Sequence, residues 1–249
     1  MKITAWSNQK GGVGKSTLVC NVAGHLVDMG QRVLLVDADP QASLTQMCGI
    51  EDTERLGMVE VFARKRAINE VKIELRHNLT LVSSDLILEE IEERMKQAKR
   101  RDDILKSALA KVSNDYDICL IDCRPSLSLL TVNALAAADV VYIPAIPSRV
   151  DLRAVSVFVD VMIDEVREYL NPELTVGGVI FNRYRGWNEH KAVCSAMKKI
   201  VPVVDVVIGD TVRLSEAARE GVSLLEFDPS HKLNWAFQQI ANEVVTNGT

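Results

Sequence analysis

The chain has 249 residues, a formal net charge of −5, 47% hydrophobic and 25% charged residues. That length fits one α/β domain, residues 1–249, with a sizeable core and no room for a second domain of ordinary size. The acidic balance excludes a passively basic nucleic-acid binder, and no apolar run approaches the ~18–20 residues of a membrane span.

Five cysteines, Cys20, Cys48, Cys119, Cys123 and Cys194, are scattered along the chain without a Cys-x-x-Cys pair or a histidine partner. Reduced thiols of a cytoplasmic protein are the expectation. The N-terminus runs straight into the first strand, so no signal peptide is expected.

The first element is a short apolar strand, Ile3–Ser7. Residues 8–17 follow: Asn-Gln-Lys-Gly-Gly-Val-Gly-Lys-Ser-Thr. A helix then runs from Thr17 to Met29 and is stopped by Gly30. Strand, glycine loop and helix are the setting of a phosphate loop. The ordinary pattern needs glycine at position 9, where this chain has Gln9, and a second lysine, Lys10, stands at the loop entrance. Gly11, Gly12 and Gly14 reach conformations closed to residues with a Cβ. Backbone N–H groups from Gly11 through Val13 and Gly14 to Thr17 can therefore converge on phosphate oxygens. Lys15 adds a cation and Ser16 a hydroxyl for Mg²⁺. The helix that begins near Ser16 aims its positive end at the same point.

A second strand, Arg32–Val36, leads into Asp37-Ala38-Asp39-Pro40-Gln41. Two carboxylates two residues apart point the same way in extended chain, and Pro40 keeps Asp39 out of the helical region. Such a carboxylate can hold an attacking water in line with a phosphoryl group. After a strand at Leu79–Val82 comes a helix, Leu86–Lys99, inside a charged stretch from Glu89 to Lys106. Acid precedes base there, which suits i,i+4 pairing and the helix dipole on a solvated face. A partner or DNA contact is the alternative. The strand Ile118–Ile121 ends in Asp122, the Walker B pattern, where the carboxylate would hold Mg²⁺.

Further strands at Val140–Ile143, Val176–Phe181 and Val203–Ile208 alternate with helices at Leu127–Ala137, Leu152–Leu170, Glu189–Ile200 and Lys232–Val245. The strands are near-continuous Val, Ile and Leu, as in strands covered on both faces. The alternation predicts an α/β fold, a doubly wound and mostly parallel sheet flanked by helices, with ligands at the carboxyl ends of the strands. The last helix carries Leu233, Phe237, Ile240 and Val244 on one stripe and Asn234, Gln238, Gln239, Asn242 and Glu243 on the other. It has no cationic face to meet anionic lipid, so a docked core helix and no membrane contact are expected.

The altered loop resembles the deviant Walker A box of the ParA/MinD superfamily of P-loop ATPases. The Asp37–Gln41 segment is similar to the A′ box of ParA proteins, and residues 125–139 after Asp122 resemble the ParA stretch that follows Walker B. Residues 208–228 resemble the C-terminal ParA box. The resemblance covers nearly the whole chain. It implies that Lys10 reaches across a nucleotide-sandwich dimer, that Asp39 positions the attacking water, and that Asp37 supports a magnesium shell built on Ser16 and Asp122. Lys10, Lys15 and Asp39 are then the catalytic set. Asn182 stands where the family has an adenine-reading amide.

Two departures stand out beside one match. Arg124 replaces a usual proline, with a phosphate contact or a weakened magnesium site as its alternatives. Gly209 and Asp210 replace a common Pro-Arg. Arg213 matches an arginine that the family uses for non-specific DNA binding, and Arg183, Arg185, Lys191, Lys198, Lys199 and Arg219 lie in the same third of the chain.

The implied function is a partition ATPase for a plasmid or chromosome, with ATP and Mg²⁺ as cofactors. An ATP-dependent homodimer would bind double-stranded DNA without sequence preference, and a ParB-like adaptor would stimulate hydrolysis. It would be cytoplasmic, nucleoid-associated when ATP-bound, and of the short ParA form without an N-terminal helix-turn-helix. The alternatives are a MinD-like positioning ATPase and a ParA-like ATPase that moves a non-DNA cargo. Nitrogenase-type iron proteins need glycine-flanked cysteines, which this chain lacks.

Overall fold

The computed structural model describes residues 1–51 and 56–247. In chain order the elements are β1 (Lys2–Trp6), α1 (Lys15–Asp28), β2 (Val33–Ala38), α2 (Ser43–Met47), α3 (Met58–Phe62), α4 (Ile68–Val71), β3 (Ile73–Arg76) and β4 (Leu79–Val82). Then come α5 (Leu88–Met95), α6 (Ile104–Ala110), β5 (Ile118–Cys123), α7 (Leu129–Ala137), β6 (Val140–Ala145), α8 (Arg149–Val157) and α9 (Asp164–Tyr169). The last are β7 (Thr175–Tyr184), α10 (Asn188–Met197), β8 (Val203–Gly209), α11 (Arg213–Arg219), α12 (Leu224–Phe227) and α13 (Leu233–Thr246).

The strands form one eight-stranded sheet in the order β3-β4-β2-β5-β1-β6-β7-β8. All neighbours are parallel except β3, which runs antiparallel to β4 at the edge. Every residue of β2, β5 and β6 is buried, which is why these strands read as unbroken apolar runs. One face of the sheet packs Leu34, Val36, Ile121 and Ile143 against apolar residues of α3, α5, α6, α7 and α8. The other packs Trp6, Leu35, Leu120 and Tyr142 against α1 and α13. Helices on both faces make the sheet doubly wound, as the alternation predicts.

All seven expected strands are present within a few residues. The eighth, β3, is a half-buried edge strand, Ile-Glu-Leu-Arg, joined to β4 through His77 and Asn78, with Asn78 at φ +61°. Its weak alternation over four residues is a faint signal beside the continuous apolar strands. The expected helix Leu86–Lys99 is shorter, Leu88–Met95, and one of its acids is not solvated: Glu92 is buried. The expected helix Leu152–Leu170 begins earlier, at Arg149, and passes from α8 through a π-helical stretch, Phe158–Ile163, into α9.

The final helix docks as expected. Leu233, Phe237, Ile240 and Val244 of α13 are buried against α1 and β8. Among the described residues no helix is long and apolar enough to cross a membrane.

Candidate nucleotide and metal site

The phosphate loop joins the end of β1 to α1. Gly12 lies at φ +73° and Gly14 at φ +91°, both in the left-handed region. Gly14 is also a point of close approach: a Cβ there would stand 2.1 Å from Asn182 Nδ2. Asn8 pins the loop to the sheet, donating from Nδ2 to the Pro144 carbonyl at 2.7 Å and accepting from Lys10 N at 3.0 Å. The first turn of α1 has no side-chain cap and no acidic residue. Its free N–H groups and positive dipole end therefore face an anion site. Lys15 sits at that end, 7% exposed.

The carboxylates come from neighbouring strands in register. Asp37 of β2 pairs across the sheet with Asp122 of β5, and Trp6 of β1 pairs with Asp122 from the other side. Thr45 of α2 holds Asp37 Oδ2 through its N–H at 2.9 Å and its hydroxyl at 2.7 Å. Asp39 N donates to Asp37 Oδ1 at 3.1 Å. Asp39, 8% exposed, accepts from Gln41 N at 3.0 Å.

Asp122 is fully buried, and neither of its oxygens has a well-formed hydrogen bond, although the Ser16 hydroxyl lies beside it. Burial, with Asp37 next to it, pushes the Asp122 carboxyl well above the usual range, and Ser16 and Lys15 oppose this. Burial raises Asp37 to about 6 against the bonds from Thr45 and Asp39.

Two buried carboxylates with raised proton affinity, one without a well-formed hydrogen bond, fit a cation site. Ser16, Asp37 and Asp122 are oxygen donors of the kind Mg²⁺ takes, with water and phosphate completing its shell. Among the described residues no group of three or more His, Cys, Asp or Glu side chains could hold a metal unaided.

Next to the loop lies a cavity of about 180 Å³, lined in part by Gly14, Thr17, Asn182, Arg183, Asp210 and Thr211. Asn182 lines it, but its amide is engaged with the loop: Nδ2 donates to the Val13 carbonyl at 2.9 Å and Oδ1 accepts from Arg183 N at 2.8 Å. Arg183 follows in a left-handed conformation, φ +52°.

Lys10 does not point at its own phosphate loop. Its Nζ lies 2.6 Å from Asp151 Oδ2 on α8. Asp151 is fully buried and also takes the Ser148 hydroxyl.

The AAA domain family matches residues 1–176. The sporulation initiation inhibitor protein Soj of Bacillus subtilis is 36% identical over 252 residues, which span 99% of either chain. The chromosome partitioning protein ParA of Caulobacter vibrioides is 34% identical, over 99% of this chain and 94% of its own. The chain belongs to the ParA/Soj family of ATPases.

Among solved structures, cobyrinic acid a,c-diamide synthase of Mycobacterium smegmatis with bound ADP and magnesium superposes with a TM-score of 0.84 at 29% identity, covering 97% of this chain and 93% of that one. Apo McdA of Cyanothece reaches 0.89 at 23% identity, over 98% and 99%, a likeness of fold.

Arg124 directly follows β5. Its guanidinium turns to α5, 2.7 Å from Glu92 Oε2 and 3.6 Å from Glu89, so its charge is spent on buried Glu92. Glu92 Oε1 also accepts from Leu130 N at 3.3 Å, tying α5 to the start of α7.

The basic residues of this ParA-family chain divide into two kinds. Arg185 pairs with Asp210 at 2.5 Å, Lys198 with Asp205 at 3.0 Å, and Arg213 with Glu216 at 2.9 Å. Arg183, Lys199 and Arg219 form no ion pair among the described residues.

Thr45, Asp151 and Glu92 are site residues that the sequence reading missed. Ser148 and Asp151 form a Ser-x-x-Asp cap at the start of α8, a local pattern that marks the helix start. Nothing local marks the pairing of Asp151 with Lys10, 141 residues away.

Proposed function

We propose that this chain is a DNA-partition ATPase that works as an ATP-bridged homodimer. The observation that carries the reading is the placement of Lys10. It is a third exposed at the mouth of a complete phosphate loop and is neutralised by Asp151 instead of serving its own nucleotide site. A cation parked at the mouth is available to the nucleotide of a second copy. Exposed apolar side chains occupy the same edge: Leu86 and Ile87 after β4, Leu127 after β5 and Val150 after β6. Apolar surface gathered around a charged mouth suits burial by a partner.

In this reading the N–H groups of Gly11 to Thr17 and the Lys15 cation bind the phosphates. Bound Mg²⁺ would neutralise phosphate charge, held by Ser16 and Asp122 with Asp37 supporting. Asp39 orients the attacking water and accepts its proton. Thr45 holds Asp37, so Asp39 starts from a fixed strand end.

DNA binding follows from pairing. Arg183, Arg185, Lys198, Lys199, Arg213 and Arg219 lie on or next to β7, α10, β8 and α11, and a dimer carries two copies of this set. Exposed ion pairs such as Arg213 with Glu216 contribute ~0–1 kcal/mol and exchange readily for DNA phosphates. Contacts to phosphates carry no sequence information and weaken with salt. A ParB-like adaptor on the cargo would stimulate hydrolysis and return the chain to its unpaired form.

The test is a duplex DNA mobility shift at low salt with ATP, ADP or no nucleotide. The reading expects a shift with ATP alone. An equal shift in all three conditions would remove the nucleotide switch.

A further inference from the structure

Two of the five cysteines meet beside the site. Cys20 lies on α1, one turn beyond Ser16, and Cys48 directly follows α2. Their thiols lie beside each other on the wall of one cavity. Together with Arg76, Ser223 and Glu226 they line a cavity of about 420 Å³. Cys20 is 9% exposed and Cys48 is half-buried, so the cavity is the route by which a small molecule reaches the pair. The neighbouring Cys48 thiol, and after it the Arg76 guanidinium, favour a thiolate at Cys20, against burial and the Glu226 carboxylate that Arg76 pairs with at 2.5 Å. The thiolate is the reactive form in disulfide exchange.

Among the described residues no third metal-binding side chain completes a site here, so the pair is not a thiolate metal centre. The turn after Cys48 is also fixed. Gly49 stands at φ +76° and packs against Gly221, where a Cβ on Gly49 would lie 3.4 Å from the Gly221 Cα.

We propose that Cys20 and Cys48 are a dithiol modification site that closes to a reversible disulfide by exchange with a small-molecule disulfide, and that closure stops turnover. In the first step one thiolate attacks a sulfur of the small disulfide. A mixed disulfide forms and one small thiol leaves. The second cysteine, losing its proton, then displaces the other small thiol. Two protein thiols are oxidised, one small disulfide is reduced to two thiols, and the balance closes.

The effect on turnover rests on the ATPase reading; the formation of the bond does not. A disulfide requires bonding separation in place of the separation of two free thiols. Closure therefore pulls the end of α2 toward α1. Thr45, three residues before Cys48, carries both hydrogen bonds that α2 makes to Asp37. A displacement of about 1 Å at a supporting group can cost about 100-fold in rate.

The experiment treats the full-length, fully reduced chain with glutathione disulfide. Non-reducing peptide mapping, ATP turnover and fluorescent nucleotide binding are then measured. The expected result is a linked Cys20–Cys48 peptide, a fall in turnover of at least about tenfold with nucleotide binding retained, and recovery with dithiothreitol. Cys48→Ser and Cys20→Ser should each yield no linked peptide and keep their turnover through the treatment. Retention of five free thiols, or stable glutathione adducts without the internal link, overturns the modification site. A mapped link with unchanged turnover overturns its consequence. A reduced chain without ATPase activity that still forms the link contradicts the ATPase reading and leaves the dithiol site standing.

Discussion

Lys10 Nζ and Asp151 Oδ2 lie 2.6 Å apart, and they join the entrance of the phosphate loop to the first turn of α8. Asp151 is fully buried and Lys10 is a third exposed, so the pair is held from the protein side and reachable from the solvent side. Pairing of two chains through Lys10 has to break this contact first.

Asp151→Asn therefore makes dimerisation easier. The substitution keeps the side-chain shape and a partner for Ser148 but removes the charge. With Lys10 partly solvated, the pair contributes about 1 kcal/mol, equivalent to about a fivefold shift in the equilibrium. Sedimentation with ATP and Mg²⁺ should show the Asp151→Asn dimer at lower protein concentration than wild type. An unchanged or weaker dimer would mean that Asp151 does not restrain Lys10.

Lys15→Ala removes the cation at the start of α1 while leaving the glycine geometry intact. Nucleotide affinity should fall by more than about tenfold, as expected for loss of a charge-assisted contact to phosphate. Titration with a fluorescent ATP analogue measures it. Unchanged affinity would refute the phosphate-loop assignment.

Acidity near the metal carboxylates gives a pH dependence. The Asp37 carboxyl is raised to about 6 by burial, and that of Asp122 is raised further. A raised carboxyl contributes stability below its unfolded pKa, near 3.8 for Asp, and loses it as pH rises through the folded value. The metal-free chain thus loses the Asp37 contribution between about pH 4 and pH 6, and loses that of Asp122 at higher pH. Mg²⁺ has to displace the protons, so its apparent affinity should fall by about tenfold per pH unit below pH 6 for the Asp37 proton, with the Asp122 proton adding to the fall from higher pH. Thermal shift with and without Mg²⁺ from pH 5 to pH 8 reads this. A magnesium effect that does not grow with pH would place the metal elsewhere.

Arg213→Glu reverses one charge in the basic set on α11 and leaves the nucleotide site untouched. ATP-dependent DNA binding should weaken at every sequence tested, with a shallower dependence on salt. Filter binding at two salt concentrations checks it. Unaffected binding would move the DNA face away from α11.

Much of this was legible in the primary structure because the information is local. The run from Asn8 to Thr17 fixes a loop that only glycine can make at positions 12 and 14, and the structure finds both at positive φ. Six strands announce themselves because both faces of the sheet are largely covered there, and the edge strand β8 by its run of Val and Ile. β3 escapes because an edge strand buries only part of its surface. The π-helical stretch at Phe158–Ile163 has no proline or glycine to mark it. Partners brought together by the fold are invisible for a different reason. Arg124 has two plausible roles as a residue beside Asp122, and only the packing of α5 shows that Glu92 neutralises it. The same holds for Thr45 on Asp37 and Asp151 on Lys10.

Dimerisation by way of Lys10 is the claim on which the rest depends. In this account Asp39→Ala should arrest hydrolysis while leaving the phosphate loop and Lys10 in place, so any ATP-bridged complex should persist. The decisive measurement is the solution mass of Asp39→Ala under saturating ATP and Mg²⁺, beside the Lys10→Ala/Asp39→Ala double variant. The account predicts a stable dimer for the first and a monomer for the second. A monomer for the first, or a dimer for both, contradicts it.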